Sequence, residues 1–558
     1  MRTLVCRIWL LCSAMVCGVS SPIAAQVTGA QINEALVQST IVVDGSTGND
    51  ANPGTAQGPL KTLTQALQRA LVENRANRGV KVVVQPGIYR ETVDVGQETD
   101  APIVIEAQPH TAFILGSEAW SDWTPSDTPG IVTHLWPYQF GLADVPGDWA
   151  ADPVAAPAFN EIVRRREMVI IDNIALRQVL LRNDLKAGTF YMDDHGAQIY
   201  VYPPPGHELQ GSRAAEIPVR QTALRLWQKR NIVLRGLSFA FVTNPFNTAA
   251  NNLIDSHDIL IEDCEFNTNN WDGLGINNSR NITIRRTTAN NNGGGGIPAS
   301  MGRNFLFESN VTDNNNTRGV LGGYLGWSIA GMKHLFIHHA IYRNHRADDN
   351  STLGLWFDTD NADITVDGGL FQRNAVFGIF LEANQGPILI HNATISDNGQ
   401  AGLLINNTSH ITLDHNRISN NQHSQILAQG TPISGRVITD TETHQLLTLV
   451  DENWTLTNNI ISATDPSARL ITMDLDGPQD YAWGRFRSTF DAISNTYSNP
   501  LTLAFVVYGW SASATTVDLT GWRAATGQDS MSIFSTAPVP PAGPPAPPSG
   551  LTGTVVAP

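Results

Sequence analysis

The stretches GLWFD at residues 354–358 and GIFLE at residues 378–382 decide the fold of this chain. They share one pattern, a glycine, an apolar residue, an aromatic residue, an apolar residue and an acid, and they begin 24 residues apart. A repeat of that length corresponds to about one turn of a parallel β-solenoid. Such a turn would stack the closing acids, Asp358 and Glu382, on neighbouring strands roughly 4.8 Å apart.

The same pattern extends outward from this pair. Two interleaved series of apolar runs recur from residue 230 onward, mostly at spacings of 23 to 25 residues. One series is NIVL (231–234), DILI (258–261), NITI (281–284), NFLF (304–307), HAIY (339–342), DITV (363–366), PILI (387–390) and HITL (410–413). The other includes GLGIN (273–277), GIPAS (296–300), GMKHL (331–335) and GLLIN (402–406). Two series at one period predict an all-β fold, a parallel β-helix. After about residue 425 the pattern becomes less regular.

Alternation along a strand predicts which side chains face outward. The second and fourth residues of each glycine block, such as Leu355 and Phe357, are mostly apolar and are expected to fill the core. The third and fifth residues are then expected to face out. In three successive blocks these outward positions include Lys333, Trp356, Asp358, Phe380 and Glu382.

Outward carboxylates on adjacent strands suit cleavage of a glycosidic bond. Retaining glycosidases use two carboxyl groups about 5–5.5 Å apart, and inverting ones about 6.5–9.5 Å. Adjacent positions in one column favour the retaining arrangement. Two acids this close should also raise the pKa of one of them, which keeps that acid protonated.

Other residues near this pair are candidate substrate contacts. Trp356 and Phe380 are placed to stack on sugar rings, and Lys333 to pair with Asp358 or bind hydroxyls. The insertion at 317–330 roughly doubles one interval and predicts a loop beside the acids. Tyr324 and Trp327 in that loop are further expected contacts, as are Asp360 and Asn384 just after the two blocks. Arg346 is another, in the segment HRADDN (345–350), which is expected to form a wall at one end of the cleft.

Composition excludes some classes of partner. Charged residues make up only 15% of the chain and the net charge is −16, with no basic run, so nucleic-acid binding is not expected. A chain this acidic is also a poor default partner for polyanionic polymers, unless a local basic groove overrides the net charge.

Residues 1–25 are typical of a secretory signal. Positive charge precedes an apolar run from Ile8 to Val19, and small residues follow. We therefore expect a secreted, extracellular or periplasmic protein, and no later segment is apolar enough to cross a bilayer. Without the signal, Cys264 is the single cysteine, so the sequence predicts no internal disulfide, no cysteine-based metal site and a buried thiol.

The rest of the chain divides by pattern. Residues 26–116 hold an amphipathic helix at 61–74, expected to cap the solenoid, and the first rungs. Residues 117–222 break the repeat and predict an inserted β-rich, sandwich-like domain. Residues 223–536 form the main solenoid, and residues 537–558 are a proline-rich tail typical of a linker.

Three stretches carry a resemblance to a known group. The opening VVDGSTGNDANPGT…VVVQPGIYRETV resembles the start of secreted right-handed β-helix carbohydrate-active proteins of pectate-lyase-like fold. The insert REMVIIDNIALRQV…IYVYPPPG resembles the β-sandwich within β-helix glycoside hydrolases. GLWFD…GIFLEANQGPILIHN resembles the β-xylosidase segment that carries the catalytic pair. The resemblance implies a glycoside hydrolase with Asp358 as nucleophile, Glu382 as acid/base and no cofactor.

Two alternatives stay open from the sequence. A β-helix polysaccharide lyase would use Ca²⁺, for which Asp348, Asp349, Asp358 and Asp360 are candidate ligands. Its base would then be Lys333, Arg343 or Arg346. A non-catalytic glycan-binding or surface solenoid would suit the proline-rich tail. The sugar, the linkage, exo or endo action and the oligomeric state do not follow from the sequence.

Overall fold

The computed structural model describes residues 27–539, apart from 146, 154–155, 210, 212, 321–328, 431–434, 476–478 and 508–514. The expected signal sequence, Tyr324, Trp327 and most of the proline-rich tail lie outside the described residues.

The chain winds into a solenoid with three faces of parallel strands. The first face consists of Val93–Asp94, Leu224–Trp227, Ala249–Ile254, Leu353–Asp358, Ile379–Glu382, Ala401–Asn406, Ser424–Gly430, Arg469–Leu475 and Phe505–Val506. Thr516–Val517 pairs antiparallel with the last of these strands. The long strands Asp272–Arg285, Ala299–Glu308 and Ala330–Arg343 bend from the first face into the second.

The other two faces complete each turn. The second face also contains Val37–Val43, Gly79–Val84, Ile103–Ala107, Arg230–Arg235, His257–Glu262, Ala362–Asp367, Ile388–His391, Ser409–Asp414, Glu452–Thr457 and Asp491–Ile493. The third face contains Gly87–Tyr89, Ala112–Leu115, Leu237–Ala240, Glu265–Asn267, Arg346–Asp348, Leu370–Gln372, Thr394–Ser396, Arg417–Ser419, Ile460–Ser462, Thr496–Ser498 and Ile533–Ser535.

Packing inside the solenoid explains the repeated pentapeptides. Leu355 and Phe357 are 0% exposed, as are their counterparts one rung later, so the predicted inward positions are confirmed. Glycine opens each block because the next rung lies too close for a side chain. A Cβ atom on Gly354 would lie 2.6 Å from the carbonyl oxygen of Gly378 and 2.8 Å from the amide nitrogen of Asn374.

Buried asparagines form a ladder along one turn of the solenoid. Oδ1 of Asn374 accepts from the backbone and side-chain nitrogens of Asn350 at 3.2 and 2.9 Å. Nδ2 of Asn374 donates to Oδ1 of Asn398 at 3.0 Å. The ladder continues in both directions through Asn269, Asn292, Asn315 and Asn421. These bonds satisfy buried polar groups between successive rungs.

Helices and an inserted domain flank the solenoid. The capping helix spans Leu63–Arg75, with Thr62 as N-cap and an apolar side that packs on the first rungs. The other α-helices are Gly147–Ala151, Glu161–Arg164, Gln479–Thr489 and Leu519–Thr526, and the 3₁₀ helices are Glu34–Leu36, Ala156–Ala158 and Arg182–Asp184.

The inserted domain has two sheets around its own core. One sheet contains Ser117–Trp120, Ala215–Pro218, Ile170–Ile171 and Ile174–Ala175. The other contains Thr124–Pro125, Val132–Leu135, Gln198–Tyr202, Thr189–Asp193 and Arg177–Val179. Trp136, Ile171 and Phe190 are buried between them. The arrangement is sandwich-like.

The pattern loses its regularity after residue 425 because a hairpin interrupts the rungs. The rungs continue in register, since Ser409–Asp414 pairs with Glu452–Thr457. An antiparallel hairpin, Arg436–Thr439 with Leu446–Leu449, is inserted between two rungs. Its Ile438 and Leu449 pack on Ala383, at the corner that follows the first face. The solenoid therefore continues toward the end of the described chain, and the inserted segments interrupt only the sequence repeat.

Candidate active site

The two acids of the pentapeptides lie side by side on the first face. Asp358 ends Leu353–Asp358, Glu382 ends Ile379–Glu382, and the two are partners in the parallel ladder. Neighbouring strands lie about 4.8 Å apart. Their side chains are 13% and 21% exposed, so both are mostly buried but still reach solvent.

A buried lysine holds Asp358 from the preceding rung. Lys333 Nζ donates to Asp358 Oδ2 at 3.0 Å and lies 3.6 Å above the centre of the Trp356 ring, a cation–π arrangement. Burial lowers the pKa of Lys333, and the nearby Asp358 carboxylate opposes that shift. The other Asp358 oxygen accepts from Thr359 Oγ1 at 2.8 Å, so both oxygens are oriented.

An arginine from the inserted hairpin completes the site. Arg436 Nη1 donates to Glu382 Oε1 at 2.5 Å, and Nη2 donates to Thr359 Oγ1 at 3.3 Å. Sequence reasoning missed Arg436 because it is 54 residues away from Glu382 and belongs to no repeat. The signal available was the interruption of the rungs itself, since insertions in solenoids often carry binding residues.

The surroundings of Glu382 change its acidity. Burial raises the pKa of Glu382, and the neighbouring Asp358 carboxylate raises it further. Arg436 and Lys333 oppose this rise by favouring the ionised form. Glu382 therefore retains a proton more readily than an ordinary glutamate.

The acids open into a cleft of about 650 Å³ on the first face. Its far wall includes Trp149 from the inserted domain, whose ring stacks on Phe159 at 5.5 Å. The sequence did not predict that Trp149 lines this cleft, because no pattern in residues 117–222 indicates where the inserted domain packs on the solenoid. Asn277, Ser300, Leu335, Lys333 and Trp356 also line the cleft.

A third carboxyl group lies in the same cleft. Asp272 is 7% exposed, accepts from the backbone nitrogen of Gly295 at 2.6 Å, and burial raises its pKa to about 7. Asp272 lies five residues before Asn277 on the same strand. Asn277 pairs through two intervening rungs with Asp358, so Asp358 lies three rungs beyond Asn277. Asp272 is therefore far from the acid pair, at the end of the cleft toward the inserted domain.

Several predicted contacts lie elsewhere. Phe380 stacks on Trp356 at 5.3 Å and packs behind it, away from the cleft lining. Asn384 is 0% exposed and donates to the Phe357 carbonyl within an asparagine turn, so its amide is used in packing. Arg346 belongs to the third face, where it pairs with Asp313 at 2.5 Å. These three residues do not line the cleft.

Asp360 also lies outside the cleft, beneath the hairpin. It is 0% exposed, and Thr441 donates to its Oδ2 from both N and Oγ1 at 2.7 Å. Among the described residues, Asp360, His338 and Asp440 form the one group of three whose potential metal-ligand atoms lie within 4.8 Å of one another. Asp440 accepts from the backbone nitrogens of Glu442 and Thr443 at 2.8 and 3.1 Å. Hydrogen bonds thus satisfy both carboxylates, and the group fastens the hairpin to the solenoid.

Family models match three parts of the chain. Residues 193–325 match the right handed beta helix region, residues 327–459 match the periplasmic copper-binding protein family (NosD), and residues 46–118 match a protein of unknown function, DUF1565. A search of the curated proteins found no match. Together with the three parallel faces, the first match defines a right-handed parallel β-helix protein.

The fold is shared with at least one solved structure. XylC in complex with xylose is 16% identical, with a TM-score of 0.62 over 82% of this chain and 83% of that one. The A-module of mannuronan C-5 epimerase AlgE6 from Azotobacter vinelandii is 13% identical, with a TM-score of 0.44 over 86% and 95%. The GH136 lacto-N-biosidase from Eubacterium ramulus is 12% identical, with a TM-score of 0.38 over 78% and 65%.

Among the described residues, the one cluster of three His, Cys, Asp or Glu ligands does not suit copper. Copper sites favour thiolate, thioether and imidazole ligands. Cys264 and Met332 are buried in the solenoid core, at 1% and 0% exposure, and burial raises the pKa of the Cys264 thiol to about 12. The group around His338 offers two carboxylates that are already hydrogen-bonded. The described helices also include none long and apolar enough to cross a membrane.

Proposed function

We propose that the protein is a retaining glycoside hydrolase, with Asp358 as nucleophile and Glu382 as acid/base. The observation that carries the proposal is the in-register pair of carboxylates, each held by a cation, at the edge of a cleft. Retaining glycosidases place their carboxyl groups about 5–5.5 Å apart, close to the rung spacing of about 4.8 Å.

The environments of the two acids support these roles. The pKa of Glu382 is raised, which suits a group that must donate a proton to the leaving oxygen. Asp358 has both oxygens fixed by Lys333 and Thr359, which suits a nucleophile that must meet the anomeric carbon in one orientation.

The reaction would proceed in two displacements. In the first, the Asp358 carboxylate attacks the anomeric carbon, the glycosidic bond breaks, and the Glu382 proton moves to the departing oxygen. In the second, the Glu382 carboxylate takes a proton from water, whose oxygen attacks the same carbon and releases Asp358. The cations beside the pair balance the charge that moves between the carboxyl groups.

The stereochemistry of the product tests this proposal. Proton NMR of the first turnovers on an aryl glycoside panel should show the product with the same anomeric configuration as the substrate. Inverted product would contradict the assignment of Asp358 as nucleophile. No hydrolysis across the panel and across natural oligosaccharides would contradict the hydrolase.

Removing Arg436 should shift the pH profile. Its positive charge favours ionised Glu382, so Arg436→Ala should raise the Glu382 pKa further and keep the acid protonated to higher pH. The alkaline limb of kcat/KM is expected to move up by about 1 pH unit. Arg436→Lys keeps a positive charge and should leave the limb near its original position. An unmoved or downward-shifted limb in Arg436→Ala would contradict the coupling.

The substrate class and location belong to the same proposal. We propose a plant or microbial oligosaccharide or polysaccharide as substrate and a secreted or periplasmic location. The calcium-dependent lyase receives less support, because its candidate ligands lie apart. Asp348 and Asp349 pair with Arg373 beside the third face, Asp358 lies in the cleft, and Asp360 lies under the hairpin.

A further inference from the structure

A second cleft adjoins the acid pair. It has a volume of about 930 Å³ and lies between the inserted hairpin and the corner that joins the first two faces. Thr359 and Arg436 line both clefts, and these are the residues that contact Asp358 and Glu382. A chain of sugars bound at the acids could therefore extend from one cleft into the other without leaving the surface.

Arginine and histidine side chains line this second cleft at rung spacing. Arg280, Arg303 and His338 are successive partners in the parallel ladder, so they form one column. Arg436 reaches the same cleft from the hairpin. Arg280 is exposed and, among the described residues, is in no recorded ion pair. Arginine binds carboxylates with two parallel hydrogen bonds, which makes such a column suited to acidic groups.

A single acid faces these cations from the hairpin. Among the described residues that line the cleft, Glu442 is the one carboxylate, and it pairs with Arg303 and, at 2.9 Å, with His338. Arg436 is paired with Glu382 and Arg303 with Glu442, which leaves Arg280 as the surplus positive charge of this cleft in a protein of net charge −16. This is the kind of local basic groove that can bind an anion despite an unfavourable net charge.

The lining of the cleft, on the solenoid and on the hairpin, has the apolar character that sugar rings need. Met301 and Val437 are 47% and 60% exposed, and Phe336 is half-buried beside them. Large exposed apolar side chains beside fixed guanidinium groups can cover the C–H face of a ring while its acid group is bound.

We propose that the second cleft is a subsite for a uronic acid, whose carboxylate binds Arg280 and Arg303. This inference rests on the proposed glycosidase and specifies its substrate as an oligosaccharide with a uronate next to the sugar that reacts. On binding, the uronate carboxylate replaces Glu442 as the partner of Arg303, and the hairpin supplies the opposite wall.

The test compares each acidic sugar with its own neutral form. Oligosaccharides of glucuronate, galacturonate and mannuronate are titrated calorimetrically into Asp358→Asn protein, beside the same oligosaccharides with carboxyl groups reduced to alcohols. At least one uronate should bind on the order of 10-fold tighter than its reduced form at low salt. The preference should shrink as ionic strength rises.

Two variants locate the effect. Arg280→Gln/Arg303→Gln should bring the preference close to 1 while the reduced sugar binds as before. Arg343→Gln is the matched control: Arg343 is 42% exposed, pairs with Glu308 and lies outside both clefts, so its loss should leave the preference intact. Circular dichroism and thermal unfolding check the fold of each variant.

The outcomes separate the two proposals. No uronate preference in any pair, or a preference that survives in the double arginine variant, overturns the subsite. Hydrolysis of neutral aryl glycosides by the unmodified protein reports on the glycosidase independently. A uronate preference without any hydrolysis would support the subsite and contradict the glycosidase. Hydrolysis without a uronate preference would support the glycosidase and contradict the subsite.

Discussion

Replacing Asp358 by asparagine is expected to abolish glycoside hydrolysis, with a loss in kcat/KM on the order of 10⁴-fold. The amide has nearly the same shape but cannot form the glycosyl ester. Lys333 would keep a hydrogen-bond acceptor at 3.0 Å but lose its counter-charge, so some loss of stability should accompany the loss of activity. Steady-state rates on aryl glycosides and the thermal unfolding midpoint measure the two effects.

A matched control is available on the neighbouring face. Asp367 also ends a strand, pairs with Arg343 and His391 at 3.5 and 3.4 Å, and lies outside both clefts. Asp367→Asn should keep full activity. A fluorinated glycoside that slows the second displacement should label Asp358 in the unmodified protein, as seen by peptide mass spectrometry. Retained activity in Asp358→Asn, or labelling at another residue, would refute the assigned nucleophile.

Replacing Glu382 by glutamine should produce a loss that depends on the leaving group. General acid catalysis contributes about 10²–10⁴-fold, so substrates with poor leaving groups should slow by that amount. A dinitrophenyl glycoside needs little protonation, so its first displacement should be nearly unaffected. Azide should then accelerate turnover by replacing the water that Glu382 no longer activates.

The pH profile gives a second readout for Glu382. Its pKa is raised and the protonated acid is the active form, so kcat/KM should fall as pH rises through that pKa. The glutamine variant should lose this alkaline limb. Glu308→Gln is the control, because Glu308 also ends a strand and pairs with an arginine at 2.5 Å, yet lies outside both clefts. An alkaline limb that persists in Glu382→Gln would assign the acid to another group.

Much of the fold could be read from the sequence because a solenoid repeats local information. Each rung must present apolar residues inward at alternate positions, so Leu355 and Phe357 were identifiable without knowledge of the rest of the chain. The glycine and asparagine positions follow from the same repetition, since every rung contacts the next at the same close approach. The stacking of Asp358 on Glu382 is a consequence of that register.

The contacts around the acids were predicted less well. Lys333 and Trp356 line the cleft beside the acids, because they occupy outward positions of the same repeat. Asp360 and Asn384 follow the acids in sequence, but the chain turns the corner there and buries both. Proximity in sequence therefore misleads at a corner, where one residue more or less moves a side chain to a different face.

By itself the sequence determined the parallel solenoid, its core and the pair of acids, because periodic residues encode contacts between successive rungs. Only the tertiary structure decided what surrounds the acids. Arg436 arrives from a hairpin between later rungs, Trp149 arrives from the inserted domain, and the arginine column becomes a cleft only when the hairpin covers it. These segments lie outside the repeat, and their positions depend on long-range packing that no local pattern records.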